Sequence, residues 1–144
     1  KAGGAAKRYG AKNKKLSAEK LYETFGKDRF DQTICLWNTV GCLRNDKKII
    51  QQIAKVTRKS FFFTVLTKGT LEKRKEYYEK LKIKYTINKK QEIIRSAEWG
   101  ISRAYSKQDL KRLLMKTGFK VQKIQAISGL GYAVFCVKKD NFRR

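Results

Sequence analysis

Apolar residues follow two rhythms along this chain. Ile49, Ile50, Ile53, Ala54 and Val56 recur at helical spacing, with Lys47, Lys48, Gln51, Gln52 and Lys55 between them. That pattern predicts an amphipathic helix capped by Asn45 or Asp46. Short apolar runs flank it: one in Phe30 to Trp37, bounded by Asp31 and by Asn38 and Gly41, before it, and Ser60 to Leu66 after it. Runs of that length between polar turns read as strands buried on both faces, the habit of parallel sheets covered by helices. Strand, helix and strand in succession therefore predict a parallel βαβ unit.

The flanking segments are shorter or more mixed. Ser17 is placed to cap a short helix through Leu21, Tyr22 and Phe25 that Gly26 stops. Leu71 to Lys82 predicts a charged helix with Leu71, Tyr78 and Leu81 inward and the rest of its surface solvated. Alternation across Asn88-Lys89-Lys90 predicts a hairpin of Ile83–Ile87 with Glu92–Arg95, followed by an extended Trp99–Tyr105. Ser106 with Asp109 three residues later approaches a capping box, ahead of Leu110, Leu113, Leu114 and Met115 in a helix that Gly118 ends. Phe119–Ile127 and Tyr132–Val137 then alternate across Ser128-Gly129-Leu130-Gly131, an antiparallel pair.

Charge changes this picture of an ordinary α/β domain. Thirty-six Lys and Arg stand against twelve Asp and Glu with no His, a formal +24. Self-repulsion of that size calls for a polyanion, and RNA, above all ribosomal RNA, is the expected partner. Lys1, Lys7, Arg8, Lys12, Lys14 and Lys15 lie among Gly and Ala in a segment too polar to fold alone, so residues 1–16 read as a basic arm that orders on RNA. Residues 17–29 read as a short helix and linker, 30–139 as the α/β domain, and 140–144, with Arg143 and Arg144, as a basic tail. Those eight cations are the candidate nucleic-acid contacts, mostly to phosphate. No membrane partner is expected, since the chain has neither an apolar run of about 18 residues nor a signal-peptide pattern. Cys35, Cys42 and Cys136 lack metal-ligand spacing and read as buried or half-buried free thiols of an intracellular, reducing compartment, the cytoplasm or an organelle ribosome, with no metal. Without His, triad and His-based acid–base chemistry are excluded, and no GxSxG, HExxH or P-loop spacing occurs.

Two groups of residues carry a family likeness. Phe30-Asp31 before the first strand with Asn38-Thr39-Val40-Gly41 after it, and Ser102-Arg103-Ala104-Tyr105-Ser106 with Gly118-Phe119, resemble the fourth strand and later motifs of class I S-adenosylmethionine-dependent methyltransferases. The resemblance covers residues 30 to about 139. It implies a partial Rossmann-like half-sheet ordered 4-5-7-6 in that family's strand numbers, mixed with a terminal antiparallel pair and preceded by the basic arm. It also implies that Asn38, Thr39 and Gly41 lie near the methyl donor. The family's glycine-rich loop and the acidic residue ending its second strand have no counterpart before residue 30. The expectation is therefore a non-catalytic RNA-binding component of a ribonucleoprotein, ribosomal or ribosome-associated, with no cofactor. The alternative is a fragment of an S-adenosylmethionine-dependent RNA methyltransferase. A half-sheet also leaves the Phe30–Trp37 strand with one bare edge, which the Ser17–Phe25 segment, RNA or a neighbouring protein chain is expected to cover.

Overall fold

The computed structural model describes residue 12 and residues 14–139. Its sheet is assembled on one long strand, β2 (Thr57–Thr67), the continuation of the Phe61-Phe62-Phe63 run. Along one edge lies β1 (Phe30–Cys35), parallel, with Gln32–Cys35 opposite Ser60–Phe63. Along the other lies β7 (Gly131–Lys138), antiparallel, with Ser60 opposite Val137 and Leu66 opposite Gly131. Outside β7 runs β6 (Phe119–Ile127), also antiparallel to it. The order β1-β2-β7-β6 is the implied 4-5-7-6.

The helices form for the reasons the sequence gives. A 3₁₀ turn at Ala18–Lys20, capped by Ser17, runs into α1 (Leu21–Phe25), which Gly26 ends at φ 77°. After the short α2 (Thr39–Cys42), Asn45 caps α3 (Asp46–Val56) by accepting the Lys48 N–H at 3.0 Å, and all five apolar positions of its stripe are buried. Then come α4 (Leu71–Lys80) and α5 (Lys107–Met115). In α5 the Ser106–Asp109 capping box closes in both directions, a device that contributes about 1 kcal/mol. The inner stripes of α3 and α5 share one core with Phe61, Phe63, Phe119, Val134 and Cys136. Phe61 stacks on Phe63 with ring centroids 4.7 Å apart.

Because strand side chains alternate, the opposite face carries Ile34, Phe62 and Phe135, which stand in register across β1, β2 and β7. Ile34 and Phe135 remain 66% and 39% exposed. Contrary to the expectation from its apolar run, β1 is not buried on both faces, and none of its residues is fully buried. Its apolar run continues to Trp37, which is 91% exposed. No described strand pairs with its outer edge. The Ser17–Phe25 segment packs on α3 instead, where Gln52 accepts the Tyr22 N–H at 3.1 Å and Glu19 pairs with Lys48 at 2.8 Å.

The segment between β2 and α5 adds a three-stranded antiparallel meander of β3 (Tyr85–Asn88), β4 (Ile93–Ser96) and β5 (Gly100–Tyr105). It joins the main sheet where Ala104 and Tyr105 lie parallel to Leu66 and Thr67 of β2. A second small core of Tyr78, Ile83 and Ile94 holds α4 against it. Arg74 of α4 is buried too, donating to the Ser102 carbonyl at 3.1 Å and the Glu92 carbonyl at 2.6 Å, with its pKa lowered by burial. Leu81, expected inward, is exposed, because α4 ends at Lys80 before that position turns back to the core. Cys42, expected at least half-buried, is exposed at the end of α2.

Candidate functional site

The loop after β1 is shaped by its own hydrogen bonds. Trp37 and Asn38 both take the left-handed conformation at φ 57°, which turns the chain sharply off the strand end. The Trp37 N–H donates to Thr64 Oγ1 at 2.9 Å and the Asn38 N–H to the Thr64 carbonyl at 3.2 Å. Asn38 is buried, and its Oδ1 accepts the Leu66 N–H at 3.1 Å. Thr39 is exposed but spends its hydroxyl on the Leu36 carbonyl at 2.6 Å. Gly41 is pressed against β5: a Cβ there would sit 2.6 Å from the Arg103 carbonyl and 2.4 Å from Asn38 Oδ1, so only glycine fits.

Beside this loop a cleft of about 370 Å³ opens between β5, α3 and α5, lined by Asp46, Arg103, Tyr105, Lys68 and Asp109 among others. Asp46 accepts from Arg103 Nη1 at 3.1 Å and from the Tyr105 hydroxyl at 2.7 Å. Burial raises the Tyr105 phenol above its usual range. Asp109 holds the Ser106 cap and pairs with Lys68 at 2.9 Å and Arg112 at 2.8 Å. Burial pushes its carboxyl upward, but the bonds from Lys68 and Ser106 outweigh that and hold it well below the ordinary carboxylate range. Each of these carboxylates is committed to cation and hydroxyl partners within the cleft.

The structure thus brings Asn38, Thr39 and Gly41 together at the carboxyl ends of β1 and β2, next to the Arg103–Tyr105 segment. Their polar side-chain atoms point into the loop, and the space beside the Gly41 α-carbon is already filled. By themselves these residues do not make a set that fits S-adenosylmethionine. Sequence reasoning missed the Asp46–Arg103–Tyr105 cluster, since pairs nearly sixty residues apart leave no local signal. Of the candidate nucleic-acid contacts, Lys12, Lys14 and Lys15 are exposed, and Lys14 lies over the Phe25 ring at 5.5 Å. Lys1, Lys7, Arg8, Arg143 and Arg144 lie outside the described residues. Among the described residues no group of side chains could hold a metal ion, and no helix is long and apolar enough to cross a membrane.

Compared with known proteins, the sequence matches no family description and no curated protein. Solved structures do match. One is the 1,6-didemethyltoxoflavin-N1-methyltransferase of Burkholderia thailandensis, crystallised with bound 1,6-didemethyltoxoflavin and S-adenosylhomocysteine. It superposes with a TM-score of 0.68 at 16% identity, over 94% of this chain and 55% of that one. A methyltransferase of Methanosarcina mazei gives 0.62 at 19% identity over 89% and 67%. A possible histamine N-methyltransferase of Thermotoga maritima gives 0.61 at 18% over 93% and 67%. The chain therefore spans little more than half the length of the Burkholderia enzyme. It has the fold of the carboxyl-terminal half of the class I, Rossmann-like, S-adenosylmethionine-dependent methyltransferases.

Proposed function

We propose that this chain is the carboxyl-terminal half of an S-adenosylmethionine-dependent methyltransferase and serves methyl transfer together with a first half-sheet that pairs along β1. The observation that carries this reading is the juxtaposition of the outer edge of β1, which has no partner strand among the described residues, with the open face at Ile34 and Phe135. An apolar edge and an apolar face left bare side by side call for a covering layer. In that arrangement the Asn38–Gly41 loop supplies a rigid wall, and the donor-holding contacts come from the covering half. The test is calorimetric titration of S-adenosylhomocysteine into this chain and into the product of the whole open reading frame that contains it. Binding by the whole product and none by the chain alone is expected. Absence of binding in both overturns the reading.

A second reading, a non-catalytic RNA-binding component of a ribonucleoprotein such as the ribosome, is favoured by the formal charge of +24 and by the inward commitment of the Asn38 and Thr39 side chains. It expects RNA binding with no heat from S-adenosylhomocysteine in either sample.

A further inference from the structure

One long stretch of the folded chain carries cations and no carboxylate. From Leu110 to Lys139 it carries seven Lys or Arg and no Asp or Glu. Much of that charge lines a groove of about 570 Å³ between α5 and the edge strand β6, where Lys107, Lys111, Lys120, Lys123 and Lys139 surround a floor that includes Met115 and Ile124. Two of the five are engaged: Lys107 lies over the Tyr132 ring, and Lys139 donates to the Met115 carbonyl at 2.8 Å. Lys111, Lys120 and Lys123 are exposed and have no hydrogen-bond, ionic or ring partner among the described residues. The carboxylate nearest these three in sequence, Asp109, is spent on Lys68, Arg112 and the Ser106 cap, and Asp140, next to Lys139, lies outside the described residues.

We infer that this groove is a docking site for the phosphodiester backbone of a nucleic acid. A concave cleft with cations on both walls and no carboxylate among its described lining residues focuses positive potential along a line, the shape of a strand-like polyanion rather than of a membrane plane. All five cations are lysines, point charges without the planar fork of Arg. They suit successive phosphates read without base specificity. The apolar floor accepts sugar and base surface. Through the β6–β7–β2 registers, Lys120 and Lys123 stand level with Ser60 and Phe62, whereas Asn38 bonds at Thr64 and Leu66. The groove therefore lies two strands across the sheet from the loop, nearer the amino end of β2, and anchors a polynucleotide apart from any chemistry at that loop. The inference stands independently of the methyltransferase reading, because S-adenosylhomocysteine binding and nucleic-acid binding are measured separately.

The experiment is fluorescence anisotropy of a labelled oligouridylate of roughly 20 nucleotides against the full chain over a range of KCl, with a duplex DNA of similar length beside it. The variant is Lys111→Gln, Lys120→Gln, Lys123→Gln; the control removes the same charge elsewhere through the exposed Lys73→Gln, Lys80→Gln, Lys84→Gln. Circular dichroism checks that both fold. The groove variant is expected to lose at least tenfold in affinity for the oligouridylate, and its log–log salt slope to shrink by about 2, three phosphates at about 0.7 each. The control is expected to lose less than threefold. Equal losses in the two variants would mean that net charge alone governs binding and would overturn the site. So would a groove variant that keeps its affinity for both nucleic acids while losing phosphatidylserine vesicles or polyglutamate.

Discussion

At Gly41 the fold has no room to spare. A methyl group there meets Asn38 Oδ1 and the Arg103 carbonyl together, so Gly41→Ala should cost about 1–3 kcal/mol through overpacking. Asn38→Ala strips the acceptor from a β2 N–H beneath the loop and should cost a similar amount, about 1–3 kcal/mol. Since one of the two clashes of the new methyl is with Asn38 itself, the double variant should lose less than the sum. Urea midpoints of the four proteins check this, and strict additivity would mean that the loop relaxes as independent parts. Asp109 makes a different prediction, in pH. Its folded pKa lies below its unfolded value, so its stabilisation is fully present above the ordinary carboxylate range and fades as pH falls through the folded value. Between about pH 4 and pH 2 the native chain should lose more stability than Asp109→Asn, which has already lost that contribution at neutral pH. Urea midpoints at neutral and acid pH measure the difference, and parallel losses would refute it.

At the scale of the element, legibility followed the distance over which each signal acts. The stripe of α3, the Ser106–Asp109 box and the glycine-ended α1 are encoded within a turn or two, and each was found at the positions read from the sequence. The parallel βαβ unit and the β6–β7 pair were also readable, because patterns of period two and 3.6 alternate cleanly there. For β1 the run was legible but its burial was not, since Ile34, Leu36 and Trp37 look the same in sequence whether or not a neighbour covers them. The charge pattern of α4 similarly hid Arg74, whose side chain reaches the carbonyls of Ser102 in β5 and of Glu92 in the turn between β3 and β4. The β3–β4 hairpin was visible, but its junction to the main sheet rests on two residue pairs far apart in sequence, Leu66 with Ala104 and Thr67 with Tyr105. The loop at Asn38–Gly41 could be located from its polar, glycine-ended composition. Its inward hydrogen bonds could not, because Thr64 and Leu66 provide the partners.

In the whole molecule, β7 follows every other sheet element in the chain yet sits between β2 and β6, with Val134 and Cys136 fully buried. That position bears on how the protein comes to be made. While a ribosome is still building the segment before Gly131, β2 has a free edge along Ser60–Leu66 and β6 has no partner, so the apolar strands wait unpaired. A chaperone that holds exposed strands has its longest opportunity in that interval. A chain stopped after Leu130 should therefore show no cooperative melt by circular dichroism, and a sharp transition in that truncation would show that the remaining strands close without it. The sheet does not close in the order of synthesis; it is locked by a segment that emerges after all its neighbours.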